Sequence, residues 1–244
     1  MTQNQALSSS GSPVDATTSA PERVRAWDLP TRIFHWLFVT LIVCGYVSRY
    51  YGDSDFVWHK WNGYAVLILV VFRLIWGFVG CTTARFASFF PTPRSMLRYG
   101  LSIFGSKTEH YLGHNPVGGA MILALLAVVF AQAVTGLFNS NDILFDAPFV
   151  KLVSEHTVKL AGVAHHYIFE LILLLASIHI LANLFYHFVK REPLIAAMVT
   201  GHKPAEEYLD CDEAEGGSLW RALICLLVAA VLVLGTIRLL GGEL

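Results

Sequence analysis

Apolar residues are not scattered along this chain but gathered into five long runs, each bounded by charged or aromatic positions. The first run covers about Ile33–Tyr50, with an alternative start near Trp27. The second is Val57–Val79, the third Gly118–Phe138, the fourth Val163–Val189 and the fifth Trp220–Leu240. The runs are continuous rather than alternating, so they predict helices and disfavour strands of a barrel. Each reaches or approaches the ~20 residues that a helix needs to cross the hydrocarbon core. Trp27, Trp36, Tyr50, Tyr51, Trp58, Trp61, Trp76 and Trp220 sit near run ends, where amphipathic rings suit the headgroup region. The expected fold class is therefore all-α and integral to a membrane.

The polar stretches divide the rest. Residues 1–22 are rich in Ser, Thr, Ala and Pro and lack both the basic start and the apolar core of a signal peptide, so an unfolded tail is expected there. The segment from Cys81 to Asn115, with Pro91 and Pro93, is the longest connection among the first four spans. Residues 201–218 read as an acidic linker, and 219–244 as the fifth span.

Composition agrees with this reading. The chain of 244 residues is 55% hydrophobic and 14% charged, against about 25% charged for a soluble domain. The net charge of −1 and pI of 6.8 leave no basic excess for nucleic acid. Cys44, Cys81, Cys211 and Cys225 are isolated, with no CxxC and no CxxCH. That argues against a zinc ribbon, an iron–sulfur cluster and covalent c-type haem attachment.

Basic residues fix the expected orientation. With the N-terminus inside, Arg23, Arg25, Arg32, Arg85, Arg94, Arg98, Lys107, Lys190, Arg191 and Lys203 fall inside. Arg49, Lys60, Lys151, Lys159 and Arg238 fall outside, a bias of about two to one. The expectation is a multi-pass protein of a bacterial inner (plasma) membrane, with a cytoplasmic N-terminus and a periplasmic C-terminus.

The chemistry lies in the ten histidines. Ionisable groups inside spans are costly and usually functional. In the fourth span, His165 and His179 are fourteen residues apart, so they share a helix face at two depths separated by ~21 Å. His166 does not share that face. In the orientation above, His35 near the inner end of the first span matches the depth of His179. His59 near the outer end of the second matches His165. Two pairs of imidazoles at two depths between facing helices are what two stacked haems require. A single histidine near a span end is more often an interfacial hydrogen-bonding group, and it is the level-matched set of four that carries the reading. His187 reads as interfacial or as a quinone contact, and His166 as polar packing. His110, His114, His156 and His202 fall in loops and read as solvated. Glu170 is the only carboxylate well inside a span and reads as paired with a neighbouring polar group, with a proton relay as the lesser alternative. Arg73 either meets a haem propionate or snorkels to the headgroups, and the two readings weigh equally.

At this point several stretches together resemble the prokaryotic cytochrome b561 family, which includes the b-type cytochrome subunits of nickel–iron hydrogenases. They are WDLPTRIFHW (27–36), HKWNGY (59–64), RLIWGFVGCTTARFASF (73–89), YLGHNPVGGAM (111–121) and HHYIFELILLLASIHILANLFYHFVKRE (165–192). The resemblance covers roughly residues 24–203. It implies a four-helix di-haem transmembrane bundle over 23–200, with His35, His59, His165 and His179 ligating two haems b. The fifth C-terminal transmembrane helix and its acidic linker depart from the four-span family plan or mark a sub-branch of it. The resemblance further implies electron transfer between a quinone, which is a possible bound group, and a partner redox subunit or c-type cytochrome. The alternatives are a standalone oxidoreductase moving electrons from a reductant such as superoxide to quinone, and a non-redox transporter. The transporter reading lacks the inverted repeat or polar pathway it would need.

Overall fold

The structure is a computed structural model that describes residues 23–51, 56–103, 109–140 and 146–241. The expected tail 1–22, the inner-side cation Lys107 and residues 242–244 lie outside the described residues. Five helices are long and apolar enough to cross a membrane: α1 Leu29–Tyr51, α2 Val57–Val79, α5 Pro116–Gly136, α6 Glu155–Phe185 and α8 Leu219–Leu239. The last turn of α6 widens into a π-helical turn, Tyr186–Lys190, and stops at Arg191 in the left-handed region; the short α7, Leu194–Thr200, follows. The protein is thus a mostly helical membrane protein.

Local chemistry sets the helix starts. The Asp28 carboxylate accepts from Thr31 N–H at 2.8 Å and caps α1. Asn115 accepts from Gly118 N–H at 2.8 Å with Pro116 at the first position of α5. Ser154 caps α6 through Thr157 N–H at 3.3 Å. That cap starts α6 two turns before the apolar run, because Glu155, His156 and Lys159 make those turns polar. The connection 81–115 is not a plain loop. It holds α3 Phe86–Phe89 and α4 Pro93–Ser102, the latter started by a Thr92–Ser95 capping box.

Helix α2 lies at the centre and packs on α1, α5 and α8, while α6 packs chiefly on α5. The main core gathers Phe34, Leu69, Phe72, Trp76, Leu126 and Cys225. Trp76 is fully buried and donates its indole N–H to Thr31 Oγ1 at 3.2 Å, which ties α2 to α1. Along α8, Ala222, Cys225, Ala229, Val233 and Ile237 form a buried stripe. Its three small members let the backbone approach closely, as membrane helix pairs require.

The linker 201–218 is a folded cap rather than a free tether. Strand β1 (Arg23–Arg25) pairs antiparallel with β2 (His202–Pro204). Ala214 N–H donates to Arg25 O at 2.7 Å, and Arg25 Nε donates back to Ala214 O at 2.7 Å. The Asp210 carboxylate accepts from the N–H groups of Leu112 at 2.6 Å and Gly113 at 2.7 Å. Gly201 turns the chain with φ +88, and its carbonyl receives the N–H groups of Ala26 and Trp27. A Cβ there would lie 2.9 Å from Arg32 Nη1 and 3.0 Å from Trp27 O, so conformation and space both favour glycine.

Candidate functional site

Helices α1 and α6 scarcely touch, although both flank the α2–α5 pair. The gap between them forms a cleft of about 240 Å³, open at its mouth. Gly45 of α1, Gly63 of α2 and Gly136 of α5 line it, so backbone replaces side-chain bulk on three walls. A Cβ at Gly63 would meet nothing within 4 Å. The rings of Tyr46 and Phe169 stack at 5.9 Å between α1 and α6, and Arg49 and Lys60 bring positive charge to the lining.

His59 and His165 face one another in this cleft, with ring centroids 6.3 Å apart and planes at 81°. His59 Nδ1 lies 3.1 Å from Gly45 O and 3.2 Å from Ser48 Oγ. A carbonyl only accepts, so this contact puts the proton on Nδ1 and leaves the Nε2 lone pair free. His165 repeats the arrangement: Nδ1 lies 3.0 Å from Gln132 O, and Nε2 is 3.1 Å from the Gln132 side-chain nitrogen. A backbone carbonyl on one ring nitrogen is the usual support of a metal-ligating histidine. Two neutral imidazoles from α2 and α6 would together hold a haem iron and supply its nitrogen ligands.

His35 and His179 lie at the other end of the cleft helices. They are near enough to interact electrostatically. His35 Nδ1 is buried with no hydrogen-bond partner among the described residues. Asn183 donates to His179 O at 2.8 Å and its side-chain nitrogen is 3.3 Å from His179 Nε2. Ile172 is buried midway between His165 and His179 on the same face of α6. The fourteen-residue spacing therefore does what the periodicity predicts, while His166 and Glu170 are exposed.

Other expected roles change. Arg73 is only 3% exposed and does not snorkel. Its Nη2 donates to Ala84 O at 3.0 Å, its guanidinium lies over the Phe86 ring at 5.1 Å, and Nη1 is a buried orphan. His114 is not a solvated loop residue. Its ring contacts Trp27 and Phe89, each with centroids 4.9 Å away. Burial, with the positive charges of Arg73 and Lys203, pushes its pKa down to about 3. His110 is not simply solvated either, since Nδ1 lies 3.6 Å from Glu192 Oε1. His156, His187 and His202 are exposed, as expected.

Residues not singled out from sequence include Gln132, Thr135, Ser48 and the three cleft glycines. Gln132 carried a usable signal, because an amide in an otherwise apolar span is costly and points to a buried function.

Among the described residues, no group of three or more His, Cys, Asp or Glu side chains is placed to hold a metal ion. A haem would be held by a pair of imidazoles rather than by such a cluster, and the donor set here fits: facing neutral imidazoles, an apolar and glycine-lined cleft, nearby cations for carboxylates, and unpartnered buried nitrogens on His35 and Arg73. The fold and site thus define a helical membrane protein of the haem-binding bundle class. A family model described as prokaryotic cytochrome b561 matches residues 26–201, and the chain belongs to that family. It is a membrane b-type cytochrome of electron transfer, carrying b-type haem. No curated protein matches the chain.

Proposed function

We propose that the chain holds two haems b, one between His59 and His165 and one between His35 and His179, and moves electrons across the membrane between the quinone pool and a partner redox protein. The observation that carries this reading is the His59–His165 pair, 6.3 Å apart with both Nδ1 atoms tied to backbone carbonyls. Bound haem supplies reversible one-electron chemistry at its iron. The protein's own part is orientation and environment. Gly45 O and Gln132 O fix the tautomer and ring direction of the two imidazoles. Arg49 and Lys60 offer partners for haem carboxylates at one level, and Arg73 Nη1 is a further buried donor without a partner among the described residues. The levels are ~21 Å apart along α6, so an electron crosses most of the hydrocarbon thickness within one chain.

The cap end supports a cytoplasmic N-terminus. The β1–β2 pairing and the α2–α5 connection gather Arg23, Arg25, Arg85, Lys190, Arg191 and Lys203 at one end of the bundle. That orientation puts the His59–His165 level near the periplasm of a bacterial inner membrane and the C-terminus outside.

A pyridine-haem assay on purified protein tests the core of the proposal. Two haems b per chain are expected, and His165→Ala and His179→Ala should each remove one. A ratio of one, or unchanged content in either variant, overturns the ligand assignment. Co-purification from native membranes tests for the partner: a redox protein retained with the chain is expected, and recovery of the chain alone overturns the partner arm.

A further inference from the structure

Helix α6 presents a second face that meets the cleft only at its edge, where His166 also lines the cleft. Val163, His166, Glu170, Leu173, Ser177 and Ile180 follow one another at intervals of three and four, and all six are exposed. That spacing is the repeat of a left-handed helix–helix seam. Glu170 sits within it, five residues after His165 and nine before His179, so it lies inside the bilayer rather than at its edge. Neither Glu170 nor His166 has a hydrogen-bond or ion-pair partner among the described residues. Ser177 satisfies itself by donating to Leu173 O at 2.7 Å. A carboxylate facing lipid tails is costly, and such groups usually face another protein element.

We infer that this seam is where two copies of the chain associate, α6 against α6, around a two-fold axis along the membrane normal. The argument is self-complementarity. In a parallel two-stranded seam, a knob at 170 enters a hole whose wall includes position 166 of the facing helix. Glu170 then meets the partner's His166, and the two-fold axis repeats the contact in reverse. One acid and one base a single turn apart thus satisfy each other twice, with no third protein needed. Leu173 and Ile180 fill the layers between, and Ser177 keeps one layer small enough for close approach.

The test is disulfide cross-linking in native membranes. Two differently tagged copies are co-expressed, with the exposed Cys44 changed to Ser. Ser177→Cys should give a product of twice the chain mass carrying both tags, and Ile178→Cys, on the neighbouring exposed face, at least fivefold less. Adding Glu170→Ala should lower the Ser177→Cys product at least threefold with haem content unchanged. Equal linking at 177 and 178, no two-tag product at 177, or a product between 177 and a different polypeptide overturns the inference. Haem content read in the same samples keeps that failure separate from any failure of the ligand assignment.

Discussion

Acid should destabilise the capped end of the bundle through His114. The ring is held neutral, its pKa pushed down to about 3 by burial and by the charges of Arg73 and Lys203. An unfolded chain binds the same proton near pH 6.5. The folded value lies below the unfolded one, so the contribution is complete above pH 6.5 and is lost as the pH falls. At pH 5, proton uptake by the unfolded state is worth about 2 kcal/mol, and at pH 7.5 almost nothing. Stability should be followed by denaturant unfolding in nanodiscs at both pH values, for the protein and for His114→Gln. The variant loses ring packing on Trp27 and Phe89 at both pH values, and that loss cancels in the difference. Glu192 pulls the other way, since burial raises its carboxyl pKa, but it is common to both proteins and also cancels. The expected double difference is about 2 kcal/mol. Labelled-imidazole NMR gives the direct check, with His114 remaining neutral at pH 5. Equal pH slopes in the two proteins, or a His114 titration centred near 6.5, refutes the reasoning.

Two further predictions concern the cap and the cleft. Asp210→Ala strips two backbone donors of a charged acceptor held at 2.6 and 2.7 Å; amide exchange at Leu112 and Gly113 should quicken about 100-fold, corresponding to about 3 kcal/mol of local stability, and a change under threefold would contradict the role given to the carboxylate. Gly136→Val drives a branched side chain into His165, whose Cε1 would lie 3.1 Å from the new Cβ; haem content should fall by about half, whereas Gly63→Ala, whose Cβ meets nothing within 4 Å, should retain it all.

The spans were legible because lipid leaves a helix few alternatives, and a continuous apolar run is the trace of that constraint. The face shared by His165, Ile172 and His179 was legible too, since fourteen residues at 100° each bring the helix back to nearly the same direction. Helix starts were less legible. The first two turns of α6 are polar, and only Ser154 marks where they begin. The cap was not legible at all. Its bonds join Arg25 to Ala214 across 189 residues and Leu112 to Asp210 across 98, and no local pattern encodes such pairs. His114 was misplaced for the same reason. Asn115-Pro116 correctly announces a turn, but Trp27 and Phe89, which bury the ring, come from distant parts of the chain.

The segment beyond residue 201, where the family match ends, bears on how the cleft stays open. A cleft between α1 and α6 cannot be held apart by those two helices, which scarcely meet. It must be held by what lies behind them. Helix α8 supplies part of that backing by seating Ala222, Cys225 and Ala229 close against the central α2. The cap supplies another part, pinning the residues just before α1 to Gly201 and Ala214 and those just before α5 to Asp210. Three of the four cleft helices are therefore fixed from outside the cleft. Only α6, joined mainly to α5, depends on the cleft's own contents or on a neighbour for its second contact. That asymmetry puts the ligand pairs across the boundary between the most and the least supported helices. Cofactor capture and α6 docking should accordingly be coupled, with haem loss freeing α6 before it loosens α2.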